Sequence, residues 1–492
     1  MPSTEERSAN GDASYKIEFT KFYNTINNEL SSTATTRHSI DPATQGTLAE
    51  VPVSTKADLD AAVKHARAAF PPWAATPWEE RAAKLRAFAD AIEVNKHEIT
   101  HMVVLESGKA ITTANIEVSL AVNHLRETAK LQLPEEVLED TDERTTIVRY
   151  PPIGVAAAIV PWNWPLLLCV GKLGPALLAG NTIIIKPSPF TPYTDLKLGE
   201  LGAKVFPPGV LQVLSGDDDL GPMITEHPGI DKISFTGSTF TGKKVMESCS
   251  RTLKRVTLEL GGNDAAIIYP DVDLDKVVPK IAILAFLSTG QVCMLVKRIY
   301  VHASIYESFR DALVAFTRNL RTGPGSDPEV FCGPIQNSMQ FAKVQDMYAS
   351  IAKEGWTAAL GGVDAGPEHH SGGYFIEPAI IDNPPDDSRI VTEEPFGPIV
   401  PLLKWEDEED VVHRANDTKM GLGASVWSKD IQRAHRVARK LEAGSVWVNS
   451  HFDVSPNVPF GGHKWSGLGM EWGVRGLKEW CNTQSLWLRK DF

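Results

Sequence analysis

Between residues 153 and 262, short apolar runs alternate with helix-length segments, and no other feature narrows the possible fold so far. Gly154 to Val160, Thr182 to Ile185 and Val210 to Leu214 are nearly continuous apolar runs, and Lys232 to Phe235 and Val256 to Leu260 read as further strands. Strands of this kind are covered on both faces, and with helices between them they form a parallel, doubly wound α/β sheet. Such a sheet binds ligands beyond the carboxyl ends of its strands. After Asn263 the pattern starts again, with helices expected near 272–287 and 304–320 and a strand at Ala443 to Ser450. Two doubly wound α/β domains are therefore expected, one from 1–128 and 151–260 and one from 261–453.

Ahead of the first sheet, Thr55 to Phe70 carries apolar residues at helical spacing. Thr76-Pro77-Trp78-Glu79 then reads as a capping box with proline at the first helical position. Thr145 to Tyr150 and Ser485 to Leu488 read as exposed strands. Unpaired strand edges invite association. Segments 129–150 and 478–492 are therefore expected to form a small β element that holds a homodimer or homotetramer together.

The net charge of −13 argues against broad binding to nucleic acid or an anionic membrane. The longest apolar region, 153–185, is interrupted by Pro161, Asn163, Pro165, Lys172 and Pro175, which suits a buried core and not a membrane span. Five widely spaced cysteines with no C-x-x-C pair suggest reduced thiols and a cytoplasmic protein. No H-E-x-x-H occurs, and the adjacent His369 and His370 sit in a Gly/Pro-rich stretch expected to be a surface turn, so no metal site is expected. The first twenty residues are polar with both signs of charge, and are expected to be a loose arm and neither a secretory signal nor a transit peptide.

Two short segments carry chemistry. Cys293 ends Gly290-Gln291-Val292-Cys293, and Glu259 lies in Leu258-Glu259-Leu260-Gly261-Gly262. A thiol and a carboxylate facing one pocket suit a two-stage reaction, in which sulfur attacks a carbonyl carbon and the carboxylate later activates water to release the acyl group. Taken alone, a free cysteine is more often a buried structural thiol. Phe235-Thr236-Gly237-Ser238 and Gly242-Lys243-Lys244 bracket a strand-to-helix turn that could approach a phosphate. That turn matches neither the phosphate loop of nucleotide triphosphatases nor G-x-G-x-x-G.

These segments occur in order with Pro161-Trp162-Asn163-Trp164-Pro165, Ile185-Lys186-Pro187-Ser188, Glu394-Pro395-Phe396-Gly397-Pro398 and Pro459-Phe460-Gly461-Gly462. Together, from roughly residue 35 onward, the chain resembles the aldehyde dehydrogenase superfamily. The resemblance implies a Rossmann-like cofactor domain followed by a catalytic domain, with NAD or NADP as cofactor and an aldehyde as substrate. It implies Cys293 as nucleophile, Glu259 as the base for the deacylating water, and Asn163 with the Cys293 N–H as the oxyanion site. Lys172 and Glu471 would relay protons around the glutamate. Val160, Pro161, Trp162, Lys186, Ser188, Pro189, Gly237, Ser238, Leu260, Glu394 and Phe396 would hold the cofactor. Trp164, Leu168, Gly171, Val292, Met294, Val454 and Phe460 would line the substrate tunnel.

Three positions depart from the family pattern, one of them Ser288, which replaces an asparagine common in the family. Members that prefer NAD usually carry a glutamate where this chain has Pro189, so relaxed use of NAD and NADP is expected. Many relatives carry a bulky aromatic where this chain has Gly171, so a wider tunnel for bulky apolar or aromatic aldehydes is expected. A coenzyme A-acylating enzyme and a non-catalytic nucleotide-binding protein on the same fold are the alternative readings. Glu259 speaks against the first, and Cys293, Glu259 and Asn163 together against the second.

Overall fold

The computed structural model describes residues 13–362 and 372–490. His369 and His370 and most of the expected N-terminal arm lie outside the described residues. Helix α1 (Lys56–Ala75) begins where the Asp58 N–H donates to Thr55 Oγ1 (3.3 Å) and the Thr55 N–H donates to Asp58 Oδ2 (2.7 Å). This reciprocal cap replaces the one expected at Thr76. A residue before proline is driven towards extended backbone, and Thr76 (ψ 133°) accordingly ends α1, its hydroxyl donating to the Pro72 carbonyl (3.0 Å). Helix α2 (Trp78–Val94) then starts after Pro77 without a side-chain cap.

Helices α3 (Ile111–Thr128) and α4 (Pro165–Ala179) lead into and through the first sheet. Its strands are β1 (Val155–Ile159), β2 (Thr182–Lys186), β3 (Leu211–Val213), β4 (Lys232–Thr236) and β5 (Arg255–Glu259), parallel in the order β5-β4-β1-β2-β3. Antiparallel additions flank them, Gly467–Leu468 beside β5 and Asn24–Ile26 beside β3. The sheet thus recruits chain from beyond residue 453, which no local pattern foretold. Helix α5 (Tyr193–Val205) follows β2, and α6 (Thr239–Ser250) follows β4. Every residue of α4 except Leu168 is buried. Burying each large apolar side chain contributes about 1.5–3 kcal/mol, and any charge on such a helix requires a partner.

The second sheet contains β6 (Asp264–Ile268), β7 (Val296–His302), β8 (Ala379–Asp382), β9 (Ile399–Trp405), β10 (Gly423–Trp427) and β11 (Ser445–Val448). They are parallel in the order β8-β9-β7-β6-β10-β11, with Thr357–Leu360 antiparallel outside β8. Helix α7 (Leu274–Phe286) carries the chain from β6 towards β7.

The strand Arg144–Arg149 is not left waiting for another subunit. It is the middle strand of a three-stranded antiparallel sheet, between Glu136–Asp140 and Gln484–Arg489 of the same chain. The two segments read as separate exposed strands satisfy each other, from Gln484 opposite Arg149 to Arg489 opposite Arg144. Among the described residues, no helix is long and apolar enough to cross a membrane.

Candidate active site

Between α7 and β7 the chain passes through a short 3₁₀ turn, Leu287–Gly290, in which Ser288, Thr289 and Gly290 all have positive φ (50°, 60° and 73°). Thr289 is held by its hydroxyl on the Gly333 carbonyl (2.8 Å). The Gln291 amide donates to the Ser288 and Pro334 carbonyls (3.0 and 3.2 Å), and its oxygen accepts the Gln336 N–H (2.9 Å). A Cβ on Gly290 would lie inside the backbone of Gly397, so only glycine fits there. Nothing in the structure explains serine at 288, where its buried hydroxyl has no partner among the described residues. The turn delivers Cys293 half-buried, with its thiol pushed up to about 12, chiefly by burial and against the pull of the Lys297 charge.

Glu259 ends β5, paired with Thr236 of β4 on one side and Gly467 on the other. It is buried, and neither carboxylate oxygen has a hydrogen-bond partner among the described residues. Burial first, and then the charge of Glu471, raise its carboxyl well above the usual range, while Lys172 pulls it down. Immediately after it, a Cβ on Gly261 would collide with the Glu394 carboxylate and one on Gly262 with the Cys293 carbonyl. These glycines allow the exit of β5 to run against both residues. Behind Glu259, Lys172 of α4 is paired with Glu471, and Ser234 of β4 joins them, at 3.1 Å from Lys172 Nζ and 2.8 Å from Glu471 Oε1. The otherwise apolar α4 thus has its one charge satisfied.

Asn163 lies in the turn between β1 and α4, buried, with Nδ2 donating to the Gln291 carbonyl (3.0 Å). One N–H of that amide remains for another acceptor. Its backbone carbonyl accepts from Lys109 Nζ (2.8 Å), which is also paired with the fully buried Glu117 of α3 and sits 4.5 Å from the Trp164 ring centroid. Glu117 Oε1 in turn accepts the Leu167 N–H (3.2 Å) in the first turn of α4. Sequence reasoning missed Lys109 and Glu117, because lysine and glutamate in a helical region read as surface charges. A second omission is Lys297, buried beside Cys293.

The residues assigned to the cofactor line the carboxyl ends of the first sheet. Ser238 caps α6, its hydroxyl accepting the Thr241 N–H (3.1 Å), and Gly237 precedes it. Leu260 is buried under Gly242. The Val160 N–H donates to the Lys186 carbonyl (3.0 Å), which ties the ends of β1 and β2 together ahead of Pro161. Trp162 stands edge-on to Phe396, with ring centroids 5.4 Å apart. Glu394 Oε1 accepts the Gly262 N–H (3.2 Å). Lys186 is buried and held down to about 8, mainly by burial, with one hydrogen bond, to the Pro187 carbonyl (3.2 Å). Ser188 is buried, its hydroxyl accepting the Phe190 N–H (3.2 Å). Pro189 lies in a cleft lined by Arg37, Phe190, Asp217, Asp218 and Asp219, with Arg37 paired to Asp217 at 3.1 Å. The N-terminus of α6 suits a phosphate, the glycines after β5 leave the sheet end bare, and Lys186 is a buried ammonium with spare donors, so these residues fit a dinucleotide.

The tunnel residues Trp164, Val292, Met294 and Phe460 belong to one apolar core, with Leu168, Cys293 and Val454 packed against it. Gly171 does not widen this wall. A Cβ there would lie 2.8 Å from Trp472 Nε1, and the buried Trp472 ring stacks on Phe460 (centroids 4.9 Å apart) and meets His124 edge-on. The volume left by glycine is taken up by an indole from far along the chain, which corrects the expected enlargement.

The chain matches the aldehyde dehydrogenase family model over residues 30–486. It is 43% identical over 475 residues to the putative aldehyde dehydrogenase FUS7 of Gibberella fujikuroi, covering 96% of this chain and 100% of that protein. It is 37% identical to aldehyde dehydrogenase 1A1 of Gallus gallus, over 96% of this chain and 94% of the relative. A crystal structure of betaine aldehyde dehydrogenase from Staphylococcus aureus in complex with NAD+ superposes with a TM-score of 0.93 at 32% identity, covering 96% of each chain. With a glycine-sheathed carboxylate beside a thiol at the sheet ends, and relatives matched from end to end, this chain is an enzyme belonging to the aldehyde dehydrogenase family.

Proposed function

We propose that the enzyme oxidises an apolar or aromatic aldehyde to its carboxylic acid through a thioester on Cys293, hydrolysed by water that Glu259 activates. The observation that carries this reading is Glu259 itself. It is a buried carboxylate with two unpartnered oxygens, at a strand end whose next residues touch Cys293 and Glu394. Asp195 and Asp264 are also buried carboxylates without hydrogen-bond partners among the described residues, and what sets Glu259 apart is its place at the exit of β5 against Cys293 and Glu394.

Cys293 Sγ adds to the aldehyde carbon, and its proton passes to a nearby base, which the raised carboxyl of Glu259 suits. The developing oxyanion is held by the free N–H of Asn163 Nδ2 and by the Cys293 backbone N–H; loss of one such donor typically costs about 100- to 1000-fold in rate. When bound, NAD or NADP supplies the acceptor for the hydride leaving the aldehyde carbon. Lys186 and Ser238 hold its adenosine and pyrophosphate ends, and Glu394 with Phe396 its nicotinamide end. Glu259, having passed the thiol proton on to solvent, then removes a proton from water; water attacks the thioester carbon, and Cys293 departs as thiolate and regains a proton. Lys172, Glu471 and Ser234 are bonded to one another behind Glu259 with no direct hydrogen bond to it, so the relay assigned to Lys172 and Glu471 begins with a movement of the Glu259 side chain or an intervening water.

The residues assigned to the wall are apolar or aromatic, and the Lys109 ammonium over Trp164 is already paired with Glu117, which favours apolar or aromatic aldehydes over acidic semialdehydes. The size of the substrate rests on Trp472 and not on Gly171. At the ribose end, Pro189 removes one carboxylate while Asp217 and Asp218 stand in the same cleft opposite Arg37. The discrimination expected to vanish with proline is therefore partly restored. The division into a cofactor domain (1–128 and 151–260), a catalytic domain (261–453) and an oligomerisation element (129–150 and 478–492) follows the same reading, in a homodimer or homotetramer.

The test is turnover of a panel of aldehydes with NAD and NADP separately, beside Cys293→Ala. Loss of turnover in the variant, and faster oxidation of long-chain and aromatic aldehydes than of succinic semialdehyde, are expected. Turnover surviving in Cys293→Ala refutes the mechanism, and equal turnover of the two substrate classes refutes the specificity.

A further inference from the structure

Strand β7 opens with a β-bulge. Asp264 of β6 pairs with Val296 and the next residue, Ala265, pairs with Arg298, so Lys297 is the extra residue with no partner opposite it. A bulge turns a side chain out of the normal alternation. Here it sends the buried Lys297 ammonium back along the chain towards the nucleophile. Its Nζ donates to the Val292 carbonyl (2.7 Å) and the Cys293 carbonyl (2.5 Å), and lies 3.2 Å from Glu394 Oε1. One residue on, the Met294 carbonyl accepts from Nε2 of the buried His451 (3.1 Å), whose ring also faces Asp264 at 3.7 Å.

We propose that Lys297 is a positioning residue. It fixes the Val292–Cys293 peptide plane so that the Cys293 N–H is aimed at the oxyanion, and it ties that plane to Glu394.

The geometry follows from the planar trans peptide, in which the C=O of one residue and the N–H of the next point in opposite directions. Pinning the Val292 oxygen on Lys297 therefore fixes where the Cys293 N–H points. Two successive carbonyls converging on one ammonium leave this peptide little freedom to rotate. The third contact, to Glu394, makes the nucleophile turn and the carboxylate assigned to the nicotinamide ribose share one cation. Among the charges facing the thiol, those of Glu394, Asp264 and Glu259 disfavour the thiolate, and Lys297 is the one that favours it. Lys297 thus aims the backbone donor and also supports the attacking form of sulfur.

This inference rests on the proposed role of Cys293, and the experiment separates the two. Lys297→Met keeps the length of the side chain and removes its donors, while Lys297→Arg restores donors. The readouts are kcat and KM for aldehyde, together with the rate at which iodoacetamide labels Cys293 as a function of pH, located by peptide mass. Labelling does not depend on turnover, and Cys293→Ala reports the nucleophile reading by itself. In Lys297→Met, kcat is expected to fall about 100-fold with KM for aldehyde changed by less than about threefold. Labelling at pH 8 is expected to be about tenfold slower, and Lys297→Arg to recover most of both. A Lys297→Met enzyme with wild-type kcat and labelling overturns the proposal, as does a Lys297→Arg enzyme as slow as Lys297→Met at an unchanged melting temperature. If Lys297→Met does not fold, Lys297→Arg is compared with Lys297→Gln. Arginine is expected to be the faster, and equal rates overturn the proposal.

Discussion

The buried pair Lys109–Glu117 gives a prediction in which stability and rate come apart. Side chains of both residues are essentially inaccessible, at 3% and 0% exposure. Lys109 Nζ spends its protons on Glu117 and the Asn163 carbonyl and lies over Trp164, while Glu117 also accepts the Leu167 N–H. Glu117→Gln keeps the shape and the Leu167 acceptor but removes the bonded counter-charge of the ammonium, leaving only the weaker pull of Glu106. Breaking one side of a buried pair costs about 3–5 kcal/mol. At about 2 cal/mol/K of unfolding entropy per residue, a chain of 492 residues that melts as one unit loses about 3–5 °C in Tm. Lys109→Met is expected to cost a similar amount, because it leaves the carboxylate alone. Joining both changes removes both charges, keeps the Leu167 bond and fills the space over Trp164. The double variant is therefore expected to melt within about 2 °C of wild type, above either single variant. Its kcat is not expected to recover, because the Asn163 carbonyl has lost its anchor and a displacement of about 1 Å at such a donor costs about 100-fold. Calorimetry and steady-state kinetics on the four proteins make the test. Additive losses in Tm, or a double variant restored in rate as well as stability, would refute the reasoning.

Glu471→Gln removes the charge that, after burial, most raises the Glu259 carboxyl. Since deacylation needs ionised Glu259, the acid limb of its pH–rate profile should move to lower pH; movement to higher pH contradicts the assignment. Gly290→Ala would place a methyl inside the Gly397 backbone at φ 73°, and iodoacetamide labelling of Cys293 should lose its single-phase kinetics while kcat falls at least about tenfold. Trp472→Val should raise kcat/KM for branched aldehydes relative to acetaldehyde by at least about tenfold, the lower end of what one methylene is worth in a pocket, since the change removes most of an indole; an unchanged ratio means the indole does not bound the tunnel. Pro189→Glu should shift the ratio of NAD to NADP dissociation constants, read by fluorescence titration, towards NAD, and an unchanged ratio would leave Asp217 and Asp218 as the controlling carboxylates.

What the sequence made legible was local. The five runs between 153 and 262 became β1 to β5, within a residue or two of their expected limits; strands buried on both faces leave near-continuous apolar runs, clearest in β1 and β2, although Lys232, Ser234 and Thr257 interrupt β4 and β5. Cys293 and Glu259 could be picked out because glycines beside them mark close backbone approach. What stayed hidden depends on partners distant in the chain. Arg144–Arg149 looked unpaired because its neighbour, Gln484–Arg489, lies at the other end of the sequence. Gly171 promised space because nothing nearby announces that Trp472 occupies it. Lys109, Glu117 and Lys297 read as solvated charges, since burial of a charge is visible only once its partner is in place. Thr76 misled for a different reason: its spacing fits a cap, but its hydroxyl is turned back to the Pro72 carbonyl of the preceding helix and the helix from Trp78 starts without a side-chain cap.

The account turns on an acyl group carried by Cys293 and released by Glu259. The most direct measurement is a rapid-quench experiment on Glu259→Gln with a long-chain aldehyde and NAD, followed by intact and peptide mass analysis. One equivalent of reduced cofactor is expected in a burst, with the acyl mass on the peptide containing Cys293 and slow release afterwards. Steady turnover at the wild-type rate, or an adduct on any other residue, would contradict it.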